Sequence, residues 1–469
     1  MDLENRFRKI LGAAHVLTGD DMAPYCEDWT KKYRSNPAAV LRPGSTAEVS
    51  AILKLAYETG TAIVPAAGRT GLNGGAYADG QFLLSVERLN DIREIRADAL
   101  TATVGAGVVL TQLHEAAEVQ GLVFPLTFGA KGSAMIGGVL STNAGGSNVV
   151  RYGSTRGLCL GLEVVLADGR VMDLMSQLHK DNSGYDLKDL FIGAEGTLGI
   201  ITAAVVKLAP KPRAYATAMV AAPDLSQALV LLNRLQEATG GAVEAFEYMP
   251  RRYIEAHLKK FPSAREPFDA PHEINIMVEV GATAPRDATP GPDGTVPIAA
   301  YLEEALSGML EEGAILDAIV ARNEAQRRSI WERREQAAEV TLGRLPIVNC
   351  DVALPVDKVG IFLERATQTL GELDPMSENL CVAHLGDGNI HFSIYPSSKD
   401  PAFHDCISEM IEDLVLQFRG SFSAEHGIGL SKKPSMARRK NPVALDVMRA
   451  VKAALDPKGI LNPGKVLPD

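Results

Sequence analysis

The sequence predicts an α+β protein of two or more domains, and three observations carry that reading. The chain has 469 residues, beyond the roughly 250–300 at which one hydrophobic core stops growing. Its first half interleaves short apolar runs with three glycine-rich stretches: Pro65–Gly75 (PAAGRTGLNGG), Pro125–Gly146 (PLTFGAKGSAMIGGVLSTNAGG) and Gly193–Ile200 (GAEGTLGI). After Pro210-Lys211-Pro212, the clearest boundary signal in the chain, the pattern becomes a slower alternation of strands and helices, as in a domain built on a mainly antiparallel sheet.

The elements follow in order. Leu3, Phe7, Ile10 and Leu11 recur at helical spacing, so residues 1–12 form a helix. Arg42-Pro43-Gly44 turns the chain into a helix over 46–61, capped by Ser45 with Glu48 three residues on as a capping box. A short strand at 62–65 feeds the first glycine run. Strands at 82–86, 92–95 and 101–104 and a helix at 110–119 come next. Beyond the central glycine run, a strand at 162–167 turns at Asp168-Gly169 into 170–174, and 202–208 is a further strand. The second half predicts strands at 216–221, 243–248, 274–280 and 347–354, with helices at 225–239, 297–312, 323–342 and 403–419. Thr283–Thr295, rich in Pro, Gly and Asp, reads as an exposed insertion.

Composition narrows the function classes. Hydrophobic residues make up 46% of the chain, and no apolar run approaches the roughly 18 residues of a membrane span. The start, MDLENRFRKILGAAH, carries acids and lacks the apolar core of a secretory signal. A net charge of −11 opposes a nucleic-acid surface and requires a local basic site for any anionic substrate. Five scattered cysteines without a CxxC pair indicate reduced thiols in a cytoplasmic compartment.

The glycine runs indicate an extended, phosphate-bearing cofactor, because glycine lets backbone approach a ligand closely. A GxGxxG fingerprint is absent: Gly105-Ala106-Gly107 sits between a predicted strand and helix, but position 110 is Leu. A bound dinucleotide therefore rests its pyrophosphate in nests of backbone N–H groups from several loops.

The three runs, with RYGSTRGLCLGLEVVLADG, LFIGAEGTLGIIT and the C-terminal DPKGILNPGK, resemble the FAD-linked oxidoreductases of the vanillyl-alcohol-oxidase type. They are most similar to the D-2-hydroxyacid dehydrogenase branch, whose members oxidise D-lactate, D-2-hydroxyglutarate or glycolate. The resemblance covers essentially the whole chain. It implies a two-subdomain FAD-binding domain over 1–212, an antiparallel-sheet substrate (cap) domain over 213–420, and a C-terminal helical segment, 421–469, returning to the FAD domain. The FAD contacts it implies are Ala67, Gly68, Arg69, Thr70, Asn73, Gly74, Gly75, Pro125, Thr127, Gly129, Ala130, Gly132, Gly137, Gly138, Ser141, Thr142, Gly145 and Ile200. The first loop contains no His or Cys to tether the flavin, so the FAD is expected to be non-covalent.

A second constellation lies in VAHLGDGNIHFSIY, Val382–Tyr395. With Asp387-Gly388 as a two-residue hairpin loop, His384 falls opposite His391, close enough for both imidazoles to share one metal. Glu425, in SAEHGIG, is the candidate third ligand. Read from the residues alone, the alternative is two solvated histidines on a sheet face. The resemblance assigns a divalent transition metal, zinc, to His384, His391 and Glu425, and makes the adjacent His426 the general base. In WERREQAA it assigns Arg334 to the substrate carboxylate, a contact that suits a planar guanidinium.

Two positions depart from the hydroxyglutarate-oxidising pattern. Ala338 and Asn349 stand where such members carry Thr and Lys, which favours a substrate with a smaller, neutral or apolar tail beside Asn349. The reading is an enzyme that takes a D-2-hydroxy acid to a 2-oxo acid, reducing FAD. No NAD site is visible, so reoxidation is expected to use a carrier flavoprotein, quinone or cytochrome. Nothing in the sequence opposes a homodimer. Two alternatives stay open: a flavin subunit of a glycolate oxidase complex, and an electron-transfer flavoprotein partner without a substrate of its own.

Overall fold

The computed structural model describes residues 2–469. The chain folds into two units: the first comprises residues 2–145, 153–210 and 425–469, the second residues 146–152 and 211–424. The sequence divides at 212 and 420; in the structure the chain changes unit at Pro210 and again after Ala424.

The first unit holds three sheets, the smallest of them the antiparallel pair Leu122–Val123 and Ala209–Pro210. In a four-stranded sheet the order is Val16–Leu17, Ala39–Leu41, Phe82–Ser85, Ile63–Ala66, with the last three strands parallel. A five-stranded antiparallel sheet runs Ile92–Arg96, Thr101–Gly105, Ile200–Lys207, Cys159–Val165, Val171–Leu174. The helix Thr46–Thr59 starts where the sequence places it: Ser45 accepts the Glu48 N–H at 3.2 Å and left-handed Gly60 ends it. The Glu48 carboxylate reaches one residue further back than a capping box requires, to the N–H of Gly44 at 2.7 Å. At the C-terminus, Asp456 accepts the N–H groups of Ile460 and Leu461 at 3.1 and 2.8 Å. Asn462 then donates to the carbonyls of Gly75 and Glu195 at 3.0 and 2.7 Å. These buried bonds stitch the chain's last helix and tail to the glycine runs of the same unit.

The second unit is built on a seven-stranded antiparallel sheet, ordered Asp317–Val320, Ala214–Ala222, Ile274–Ala282, Val243–Pro250, Glu378–His384, Asn389–Tyr395, Val348–Ala353. Alternation splits the sheet's side chains between two cores. On one face Val220, Phe246, Val278, Phe392 and Ile394 pack with Leu231, Leu302, Phe362 and Ile407 from four helices. On the other, Met219, Ala245, Met277 and Val382 meet Tyr253, Ile254, Ile330 and Val340. The polar residues of interest share this second face.

Three expectations are corrected. The helix predicted over 323–342 is two, Glu324–Glu335 and Ala337–Leu342, parted at Gln336, whose side-chain oxygen bonds His257 Nε2 at 2.7 Å. Asp317–Val320 is a strand that the sequence reading passed over. The hairpin after His384 is longer than two residues: His384 pairs with Asn389 and Val382 with His391, so Leu385–Gly388 form the loop. The reason lies at Gly388, where φ is +81° and a Cβ would lie 2.0 Å from the Leu354 carbonyl oxygen. The loop tip is pinned against the neighbouring chain, and the N–H of Gly388 returns to the His384 carbonyl at 3.1 Å.

Candidate active site

In the first unit the three glycine runs come together. A Cβ on Gly68 would lie 2.1 Å from the Ser133 carbonyl oxygen, and one on Gly138 3.0 Å from Ala67 Cβ, so the first two runs pack at a distance only glycine permits. The Glu195 N–H donates to the Ser141 carbonyl at 2.8 Å, which joins the third run to the second. From Ala67 through Gly75 no backbone N–H donates to another backbone carbonyl among the described residues. A row of such donors is what a pyrophosphate requires, so these residues fit FAD. Gly74 lies within that row. Thr127, Gly129, Ala130 and Gly132 occupy turns with exposed or half-buried backbone, and open space surrounds Gly129 and Gly132. Pro125 is buried; Gly137, Ser141 and Thr142 lie on the helix Ile136–Thr142, with Gly145 just after it, and Ile200 opens a strand.

Three residues of this unit are engaged elsewhere in it. Arg69, at φ +54°, donates to the Pro24 carbonyl and covers the Tyr25 ring at 4.5 Å. Asn73 turns its side chain to the loop after Glu425: Nδ2 donates to the carbonyls of His426 and Gly427 at 3.1 and 2.7 Å. Thr70 lies between them, half-buried. Glu195 is 8% exposed and accepts the N–H groups of Ile428 and Gly429 at 2.6 and 2.9 Å. Burial pushes its carboxyl up, while these two donors, Lys432 and Lys465 pull it back.

In the second unit, register creates a line of four titratable side chains across four adjacent strands. Glu247 pairs with His384, and Asp351 with His391. Glu247 Oε1 lies 2.8 Å from His384 Nδ1, and Asp351 Oδ1 lies 3.6 Å from His391 Nδ1. The imidazoles meet edge to face, centroids 5.4 Å apart at 82°. Glu247 stands behind His384 Nδ1 within hydrogen-bond distance, an arrangement that orients a ring for ligation, whereas Asp351 stands beside His391 beyond that distance. His391 and Asp351 offer ligand atoms close enough to share a divalent metal, while His384 is engaged by Glu247 and Arg334. Ala424, the residue before Glu425, donates its N–H to the Asp351 carbonyl at 3.3 Å, so the chain leaves this unit beside the His391 strand.

Arg334 joins the same line. Its Nε donates to Glu247 Oε2 at 2.7 Å, and its Nη2 lies 3.4 Å from the His384 ring nitrogens. Glu247 is 1% exposed, and two cationic or polarised partners hold its carboxyl at about 2 against the upward push of burial. The helix that carries Arg334 is anchored two turns earlier. Glu279 accepts both Arg327 Nε and Nη2 at 2.7 Å, together with Trp331 Nε1 at 2.7 Å. Beyond the histidines, buried Ser393 donates its hydroxyl to Asn349 Oδ1 at 3.0 Å. Asn349 is exposed, and Ala338 is exposed on the helix after Arg334.

Sequence reasoning missed Glu247, Glu195 and Asp351. The one available signal was an acid inside a strand with apolar residues on both faces, as in VEAFEYMP, or inside a glycine turn, as in GAEGTLGI.

Comparison with known proteins agrees with this geometry. Residues 37–175 match the FAD binding domain, and residues 211–466 match the FAD linked oxidases, C-terminal domain. A D-2-hydroxyglutarate dehydrogenase of Stutzerimonas stutzeri is 34% identical over 474 residues, covering 99% of this chain and 98% of that protein. The mitochondrial D-2-hydroxyglutarate dehydrogenase of Bos taurus is 35% identical over 459 residues, covering 97% and 81%. Among solved structures, p-cresol methylhydroxylase with substrate bound has a TM-score of 0.75 at 16% identity, covering 98% of this chain and 95% of that one, a likeness of fold alone. Fold and site define an FAD-linked oxidoreductase of the vanillyl-alcohol-oxidase type. Within that class the chain belongs to the D-2-hydroxyacid dehydrogenase branch, and it is an FAD-linked dehydrogenase.

The shared role of Glu247 gives a direct expectation. Glu247→Ala strips the acceptor from a buried guanidinium and a buried imidazole at once, and is expected to lower stability by about 3–5 kcal/mol. Urea denaturation of both proteins, with unchanged m, measures it.

Proposed function

We propose that the enzyme oxidises a D-2-hydroxy acid to the corresponding 2-oxo acid. The observation that carries this reading is the Glu247–His384–His391–Asp351 line with Arg334 fixed at its head. Arg334 spends Nε on Glu247, and Nη1 has no hydrogen-bond partner among the described residues, so the outer edge of the fork is available to the substrate's C1 carboxylate. His384, His391 and Glu425 hold the metal in this reading, with Asp351 added as a carboxylate beside His391. A divalent transition metal, zinc in our reading, supplies a Lewis acid that lowers the pKa of the substrate hydroxyl. His426 takes the hydroxyl proton. When bound in the glycine runs, FAD supplies the two-electron acceptor, with N5 receiving the Cα hydride. Ala67–Gly75, the turns after Pro125 and the helix from Gly137 to Thr142 orient it. Reoxidation falls to a carrier flavoprotein, quinone or cytochrome.

No helix among the described residues is long and apolar enough to cross a membrane. No disulfide joins the five cysteines; the cytoplasmic setting stays our reading of the sequence, and several relatives carry "mitochondrial" in their names.

The substrate tail divides two readings. The relatives' names bring D-2-hydroxyglutarate to this chain. The residues favour a neutral tail: Asn349, whose side-chain oxygen accepts the Ser393 hydroxyl, offers an amide donor without charge. An amide offers a carboxylate there a hydrogen bond without the opposite charge that strengthens such a contact.

Four outcomes test the reading. Acid precipitation is expected to release free FAD, and EDTA to abolish turnover without removing flavin, with activity restored by a divalent transition metal. Flavin in the pellet, or full activity at near-zero metal content, overturns the corresponding assignment. His426→Asn is expected to keep FAD and metal but slow flavin reduction by roughly 10²–10⁴-fold, read by anaerobic rapid mixing. Finally, kcat/KM for a neutral-tailed D-2-hydroxy acid is expected to exceed that for D-2-hydroxyglutarate, and Asn349→Lys to shift the ratio toward the diacid by about ten- to a hundredfold. A wild-type preference for the diacid gives the substrate to the reading from the relatives.

A further inference from the structure

Glu195 has no part in the chemistry above, yet its surroundings are built around it. It is a non-glycine residue at φ +52°, in the left-handed region, between Gly193 at +83° and Gly196 at +71°. Its backbone is fixed at both ends. The N–H donates to the Ser141 carbonyl at 2.8 Å, and the carbonyl accepts from Asn462 Nδ2 at 2.7 Å. Its carboxylate takes two consecutive amides of the loop that follows His426, those of Ile428 and Gly429, at 2.6 and 2.9 Å. A Cβ on Gly427 would lie 2.7 Å from Glu195 Oε1.

Asn73 grips the same loop from the first glycine run. Besides its two bonds to the His426 and Gly427 carbonyls, Asn73 Oδ1 accepts Ser431 Oγ at 2.9 Å and its carbonyl accepts the Leu430 N–H at 2.8 Å. A Cβ on Gly429 would lie 2.2 Å from that carbonyl oxygen. Every one of these contacts lies inside the first unit.

We propose that Glu195 is a positioning residue for the reaction: with Asn73 it forms a bracket that seats the His426 loop on the cofactor loops. The third glycine run thus serves the proton-transfer side of the site as well as the flavin side. Two oxygens accepting two neighbouring N–H groups is a task for a carboxylate. A carboxamide accepts one and turns its own N–H₂ against the other. The bracket rests on the reading of His426 as the base, so its test separates the two.

The test compares wild type, Glu195→Gln and Glu195→Asp as FAD-loaded enzyme. Amide hydrogen exchange of the segment 425–431 is expected to rise by roughly ten- to a hundredfold in both variants, the loss of charge-assisted hydrogen bonds. Exchange in the strands Phe82–Ser85 and Ile63–Ala66 and the FAD content stay as in the wild type. Glu195→Asp keeps the charge and shortens the reach, so it decides the matter if Glu195→Gln does not fold. Flavin reduction by substrate is expected to slow by up to about 10²-fold, as for a misplaced reacting group, and the same substitution in a His426→Asn background to add no further slowing. Unchanged exchange at 425–431 overturns the bracket. Equal slowing in both backgrounds overturns its action through His426. A wild-type rate in His426→Asn alone overturns the base assignment, and the exchange result then still decides whether Glu195 seats the loop.

Discussion

The polar face of the second unit's sheet depends on one buried carboxylate. Glu247 sits on the strand Val243–Pro250 with 1% of its surface exposed. An isolated carboxylate there is costly to desolvate. Two donors on two other elements offset the cost: Arg334 from the helix Glu324–Glu335 and His384 from the neighbouring strand. Neither is placed by its own local structure. Arg334 is a long, flexible side chain whose unassisted entropy is large, and His384 lies at the last residue of its strand, where pairing ends. Replacing the triad with apolar residues is a change that buried ion pairs often tolerate in stability terms. What such a core lacks is a guanidinium and an imidazole held at fixed separation on one sheet face.

The cofactor side depends on backbone rather than side chains. Gly68 against Ser133 and Gly137 against Ala106 are approaches that a Cβ forbids, and they draw three separate loops into one surface. That explains why no single fingerprint marks the site. A GxGxxG motif concentrates the donors at one helix N-terminus, whereas here they are spread along Ala67–Gly75 and the turns of the second run. The C-terminal tail closes the arrangement, because Asn462 ties it to the carbonyls of Gly75 and Glu195, while Asp456 fixes the turn that leads to it.

Much of this was legible in the sequence. Glycine spacing, the Ser45 cap, the Asp168-Gly169 hairpin and the proline-flanked boundary at 210–212 are local signals, set by φ, capping and turn chemistry within a few residues. The core alternation of Ile390, Phe392 and Ile394 was equally readable. What escaped the reading is non-local. Glu247 and Asp351 are ordinary acids until strand order puts each beside a histidine. Glu195 looks like part of a turn until the chain returns at Ile428. The break at Gln336 depends on His257, far away in sequence. The hairpin register was local and still misread, since the dipeptide signal at Asp387-Gly388 was outweighed by the approach of Gly388 to Leu354.

That register has a consequence for the chemistry. In the two-residue hairpin the histidines face each other directly, and each competes for the same partner. With the four-residue loop they stand diagonally, and each directly opposes an acid: His384 faces Glu247 on one side, His391 faces Asp351 on the other. Glu247 then orients His384 at 2.8 Å from one side, and Asp351 stands 3.6 Å from His391 Nδ1 on the other. The loop length, rather than the His-x₆-His spacing alone, is what sets each imidazole opposite an acid.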